Sequence, residues 1–66
     1  MGVKQGKLRD LCFRRQWALP KYSVAPCYSG FICTLAVAGQ EFSGLWAETD
    51  EEAKENAAEK ALKDLV

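Results

Sequence analysis

Residues 31–38, FICTLAVA, constrain this 66-residue chain more than any other stretch. Successive strand side chains point to opposite faces, so Phe31, Cys33, Leu35 and Val37 share one face and Ile32, Thr34, Ala36 and Ala38 the other. The first set is apolar and needs a covering layer, and the backbone on either side needs partner strands. The flanking sequence offers both partners. Lys21 to Cys27 reads as a first strand, with β-favouring Tyr22 and Val24 and a break near Pro26. Tyr28-Ser29-Gly30 is a short turn into the second strand. Gly39-Gln40 fits a tight hairpin turn with positive φ at its first position, and Glu41 to Ala47 then forms a third strand.

The covering layer comes from the two ends of the chain. Residues 7–16, KLRDLCFRRQ, read as a helix in which Leu8, Leu11 and Cys12 form one apolar stripe. Pro20 stops it, and Trp17 at its end can fold back over the core. At the other end, Thr49-Asp50-Glu51-Glu52 is a capping box. The Thr49 hydroxyl accepts from the Glu52 backbone N–H, and three acids sit at the positive end of the helix dipole. Ala53, Ala57, Ala58, Ala61, Leu62 and Leu65 fall on one face of this helix, and the alanines let it approach a sheet closely. The expected fold is α+β, α-β-β-β-α, with a three-stranded antiparallel sheet and both helices on one face. Residues 1–6 are expected to be a flexible N-terminus and residues 7–66 a single domain.

Composition narrows the function. The longest uncharged stretch, Tyr22 to Gln40, is broken by Pro26, Ser29, Gly30 and Gly39, whereas a membrane helix needs ~20 consecutive apolar residues. The first residues lack the apolar core of a signal peptide. Cys12, Cys27 and Cys33 form no CxxC pair, and their odd number argues for a reducing, intracellular compartment, nucleus or cytoplasm. There is no histidine, the commonest general base and metal ligand, so no catalytic residue, metal or cofactor is expected. The net charge is zero but sorted. Residues 1–21 hold six cations against Asp10, a balance of +5; residues 22–40 hold no charge; residues 41–66 hold three lysines against eight acids, a balance of −5. A dedicated nucleic-acid binder usually carries a clear net positive charge.

The residues also carry a family resemblance. Leu8-Arg9-Asp10-Leu11-Cys12 followed by Trp17-Ala18-Leu19-Pro20-Lys21-Tyr22 resembles the opening of the double-stranded-RNA-binding domain, which reads L-x-x-L-C and then W-x-x-P-x-Y. Gly39, Phe42 and Gly44 resemble its hairpin and third strand. Ala53-Lys54, Ala57-Ala58 and Ala61-Leu62 resemble the second half of its S-K-K-x-A-K-x-x-A-A-x-x-A-L signature. The resemblance implies a domain of an RNA-processing or RNA-silencing protein. It implies RNA contacts from the first helix, here Lys7, Arg9, Arg14 and Arg15, and from Lys54.

Two departures stand out against that pattern. The lysine pair that opens the second helix in RNA-binding members is replaced by Asp50 and Glu51, a charge reversal at phosphate-contacting positions. The first hairpin lacks the family's Gly-Pro-x-His loop, having only Pro26-Cys27-Tyr28-Ser29-Gly30. Two lost phosphate contacts and two added repulsions cost about 3 kcal/mol or more at low salt, so double-stranded RNA binding is expected to be weak or absent. The alternative is a functional RNA binder that relies on the first helix and Lys54. Family members without the RNA signature often bind proteins, so a second copy or a related domain is the expected partner. The third strand is an edge that carries Leu45 and Trp46, one of which alternation directs outward beside Ile32 or Ala36.

Overall fold

The structure is a computed structural model that describes residues 2–66; Met1 lies outside the described residues. The elements are α1 (Val3–Arg15), β1 (Lys21–Cys27), β2 (Gly30–Val37), β3 (Gln40–Ser43) and α2 (Asp50–Leu65). The strands form one antiparallel sheet in the order β1-β2-β3, so the α+β architecture is as expected. The alternation of β2 holds: Cys33, Leu35 and Val37 are buried, and Phe31 packs partly buried against them. α2 lies on the sheet and α1 packs on α2. Leu8, Leu11 and Cys12 of α1 therefore join Ala53, Ala57, Ala58 and Ala61 of α2 in a single core. The alanine stripe permits this tight stacking. A Cβ on Gly44 would stand 2.5 Å from the Ala57 backbone nitrogen, so glycine is required where the chain leaves β3 beneath α2.

Helix boundaries follow from capping. At the end of α1, Gln16 takes a left-handed conformation (φ 59°), the Trp17 N–H donates to the Cys12 carbonyl at 2.9 Å and the Gln16 N–H to that of Phe13 at 3.3 Å. This pair of bonds is a Schellman motif, and it folds Trp17 back onto the core. α1 begins at Val3, four residues before the expected Lys7, because its first turn is capped from elsewhere in the fold, as described below. At α2 the Glu52 N–H donates to the Thr49 hydroxyl at 3.2 Å, as the sequence predicts.

The first hairpin is tighter than expected and the second is shifted by one residue. Cys27 pairs with Gly30, so the first turn is only Tyr28-Ser29, with Tyr28 at φ 55°. Val37 pairs with Gln40, so the second turn is Ala38-Gly39 (φ 53° and 73°), one residue earlier than expected. Positive φ at both central residues is the type I′ geometry that matches strand twist.

The third strand departs most from expectation. β3 ends at Ser43, not Ala47. The Gly44 N–H still donates to the Cys33 carbonyl at 3.0 Å, but the next pairing joins Ala47 to Phe31, with bonds of 2.8 and 3.0 Å. Three residue steps from Gly44 to Ala47 thus oppose two from Cys33 to Phe31, which is a β-bulge. The bulge puts Ala47 into the core and leaves both Leu45 and Trp46 exposed, so the expectation that one of them faces the helices fails.

The register also sets the composition of the outer sheet face. Thr34 stands between Ser23 and Ser43, and Ala36 between Lys21 and Glu41. Ala38 belongs to the turn. The face is therefore polar in the middle and charged at one end. Its apolar end holds half-buried Ile32 beside Ala25, with the Trp46 ring lying over Gly30, where any Cβ would meet it.

Candidate nucleic-acid interface

The four basic residues of α1 singled out from the sequence, Lys7, Arg9, Arg14 and Arg15, are all exposed. They do not share one environment. The Arg15 guanidinium lies 5.5 Å from the centre of the Trp17 ring, a cation–π contact that holds it at the helix end. Lys7 and Arg14 border an open groove of about 630 Å³ between α1 and the end of α2, with Phe13, Leu62 and Val66 as its apolar wall. On α2, Lys54 is half-buried, while Asp50, Glu51 and Glu52 are exposed in the first turn. The start of α2 therefore presents three exposed carboxylates and a half-buried lysine.

One of these acids, Glu51, joins two later glutamates of α2 in contacts to α1. The N-cap of α1 is Gly2, which has no side chain to offer, and no acid stands in its first turn. Four backbone N–H groups at a helix start have no intrahelical acceptor. Glu55 of α2 supplies the acceptors: Oε1 takes the Lys4 N–H at 2.7 Å and Oε2 the Gln5 N–H at 3.0 Å. One turn before it, Glu51 Oε2 accepts from the Gln5 side-chain amide at 3.0 Å. One turn after it, Glu59 lies 3.9 Å from the Lys4 ammonium. Glu51, Glu55 and Glu59 thus form an i, i+4, i+8 row against the first turn of α1. A Cβ on Gly2 would collide with the Glu55 carboxylate, so the cap requires glycine there. Burial tends to raise the Glu55 pKa. The Lys4 and Gln5 N–H groups, the Gln5 side chain and the Lys4 charge outweigh that tendency and hold the carboxyl below its usual range.

Sequence reasoning missed Glu55. The i, i+4, i+8 spacing of the three glutamates was its one legible signal, but spacing does not say what such a row faces.

At the other end of the sheet, the two-residue turn leaves Tyr28 fully exposed and offers no projecting loop. The Trp46 indole N–H donates to the Cys27 carbonyl at 2.8 Å and ties the bulge to the closing pair of that turn. Asn56 of α2 donates to the Leu45 carbonyl at 3.1 Å and anchors the bulge from the other side. The proposed interface side chains are thus unequally available: Leu45 is 79% exposed and Trp46 41%, Ala36 is exposed and Ile32 half-buried.

Among the described residues no group of three or more His, Cys, Asp or Glu side chains is placed to hold a metal ion. No helix among them is long and apolar enough to cross a membrane.

This helix–hairpin–strand–helix unit with its alanine-striped second helix is a double-stranded-RNA-binding fold. The family model described as "Double-stranded RNA binding motif" matches residues 6–65, and the chain belongs to that family. Among solved structures, the chain is similar to the double-stranded-RNA-binding domain of human tRNA dihydrouridine synthase (20), in a mutant form. The TM-score there is 0.90 and the identity 24%, over 98% of this chain and 72% of that one. It is similar also to Arabidopsis HYL1, in a structure described for its implications for miRNA processing, with a TM-score of 0.86 and 23% identity over 97% of each chain. A two-domain structure of DRB4 with its linker matches at a TM-score of 0.77 and 25% identity, over 96% of this chain and 44% of that one. A search of curated proteins finds no match.

Proposed function

We propose that this domain binds double-stranded RNA weakly or not at all and serves as a protein-interaction module of an RNA-processing or RNA-silencing protein. The observation that carries the reading is the first turn of α2. Where the family places a lysine pair, Asp50 and Glu51 are exposed, and Glu52 stands beside them. Glu51 is further held by Gln5, so it does not simply swing away from an approaching phosphate. The second family contact, the loop that enters a minor groove, is reduced to Tyr28-Ser29. Phosphate contacts supply most of the affinity in shape-based RNA recognition, so these two losses outweigh the cations left on α1.

As an interaction module the domain offers the β3 side of the sheet. β3 is an edge strand with one row of backbone groups unpaired by β2, and Leu45 and Trp46 stand beside it on the bulge. The relatives in RNA-modifying and miRNA-processing proteins support placement as an accessory domain without chemistry of its own. A second reading, an RNA binder using Lys7, Arg9, Arg14, Arg15 and Lys54, is favoured by the exposure of the α1 cations and by the family itself.

Titration of a ~20-base-pair RNA duplex at two salt concentrations decides between them. The first reading expects a dissociation constant well above one micromolar at about 0.15 M salt. A value near or below one micromolar establishes the second reading.

A further inference from the structure

We propose that the outer face of the sheet is a two-fold surface on which a second copy of this chain docks face to face, with the symmetry axis along β2. The inference rests on the reading of the domain as an interaction module, though not on its loss of RNA binding.

The register of the sheet carries the case. Lys21, Ala36 and Glu41 form one row across the three strands, with a cation on one edge and an anion on the other. Lys21 and Glu41 are exposed and stand two strand spacings apart, roughly 10 Å. Rotation by 180° about an axis along β2 reverses each row and keeps it at the same height. Lys21 of one copy then faces Glu41 of the other, and the reverse pair forms symmetrically, as a two-fold interface requires. The same rotation places Thr34 on its own counterpart, between Ser23 and Ser43 of each copy. It places Ile32 on Ile32, with the Trp46–Leu45 bulge beside them. An axis across the strands sets the apolar end of one copy on the charged end of the other, so charge and polarity select the axis along β2.

The centre of the face suits close approach. Between the charged row and the apolar end it carries only Ser23, Thr34 and Ser43, and α2 covers the opposite face. The area limits the strength. Three strands at ~4.8 Å spacing and about five residues at ~3.4 Å give roughly 250 Å² of sheet per copy, enlarged at one end by Trp46 and Leu45. Stable complexes bury ~800 Å² per partner, so this is a weak dimer with a dissociation constant between ~10 µM and ~1 mM.

Sedimentation equilibrium and chemical-shift dilution from ~20 µM to ~2 mM measure it directly. Lys21→Glu and Glu41→Lys each juxtapose like charges twice in the homodimer, and each is expected to weaken association about tenfold or more at low salt. Mixed in equal amounts, the two variants restore both opposite-charge pairs and form a heterodimer of near wild-type strength. That rescue also shows that both variants are folded. Thr34→Arg, at the centre, is expected to abolish association while melting like the wild type. The proposal is overturned by a wild type that stays monomeric at ~1 mM, or by a mixture that associates no better than its components. It is overturned equally if Leu45→Lys abolishes association and Thr34→Arg does not, a result that assigns the contact to the β3 edge. The RNA titration described above is independent of all three outcomes.

Discussion

The two helices of this domain begin in opposite ways. α2 carries its own start: the Thr49 hydroxyl caps it at 3.2 Å, and Asp50, Glu51 and Glu52 complement its dipole. α1 carries none: its N-cap is glycine, its first turn lacks acids, and Glu55, fifty-one residues after Lys4, closes it. A locally capped helix start survives changes elsewhere in the fold, whereas a start capped through tertiary structure exists only while the two helices are docked. One acid has a share in both arrangements: Glu51 lies in the first turn of α2 and also holds Gln5. Glu51 is thus the one side chain that belongs both to the acidic first turn of α2 and to the row that holds α1.

The largest effect is expected from Glu55→Ala, which removes two acceptors from the α1 start. It should cost about 2–3 kcal/mol, visible as a fall in Tm and as faster amide exchange at Lys4 and Gln5. Acid should act on the same bond. Because the folded Glu55 pKa is depressed, its contribution is complete above the ordinary carboxyl value of 4.5. It is lost as pH falls from there through the lower folded value, so exchange at these two amides should rise only below that point. If Glu55→Ala leaves Lys4 and Gln5 protected, the contrast between the helix starts is broken.

Asp50→Lys combined with Glu51→Lys should raise affinity for duplex RNA by about tenfold or more, read by the same titration. Its stability should drop by ~1 kcal/mol through the α2 dipole, with an added loss of order at Gln5. An unchanged affinity in the folded double variant makes the two-residue Tyr28-Ser29 turn the dominant defect.

Thr49→Ala sharpens the comparison from the other helix. It should cost about 1 kcal/mol and loosen the first turn of α2 without exposing Lys4 and Gln5. The smallest effect is expected at Tyr22, whose hydroxyl is buried without a hydrogen-bond partner. Burial first, then the charges of Cys33, Glu55 and Cys12, push its pKa up to about 12. A raised acid stabilises the fold below its unfolded value near 10 and loses that contribution as pH climbs from 10 towards 12. Tyr22→Phe should leave Tm at pH 7 unchanged or slightly higher and flatten the alkaline fall in stability.

What the sequence determined by itself is what short-range periodicity carries. The inward face of β2, the alanine face of α2, the Thr49 cap and the order of elements were legible because each depends on neighbours within a few residues. The acidic replacement at the start of α2 was legible too, once the residues resembled a known pattern. Tertiary structure alone decided the rest. The bulge at Leu45-Trp46 breaks alternation by one residue, and alternation was the premise on which one of that pair was assigned to the core. It arises where Trp46 reaches across to the Cys27 carbonyl and Asn56 holds the Leu45 carbonyl, two contacts between segments that no local pattern joins. The early start of α1 has the same kind of cause. Four orphan N–H groups do not say whether a partner exists, and here it stands on the last helix of the chain, where only the docking of α1 on α2 brings it within 3 Å.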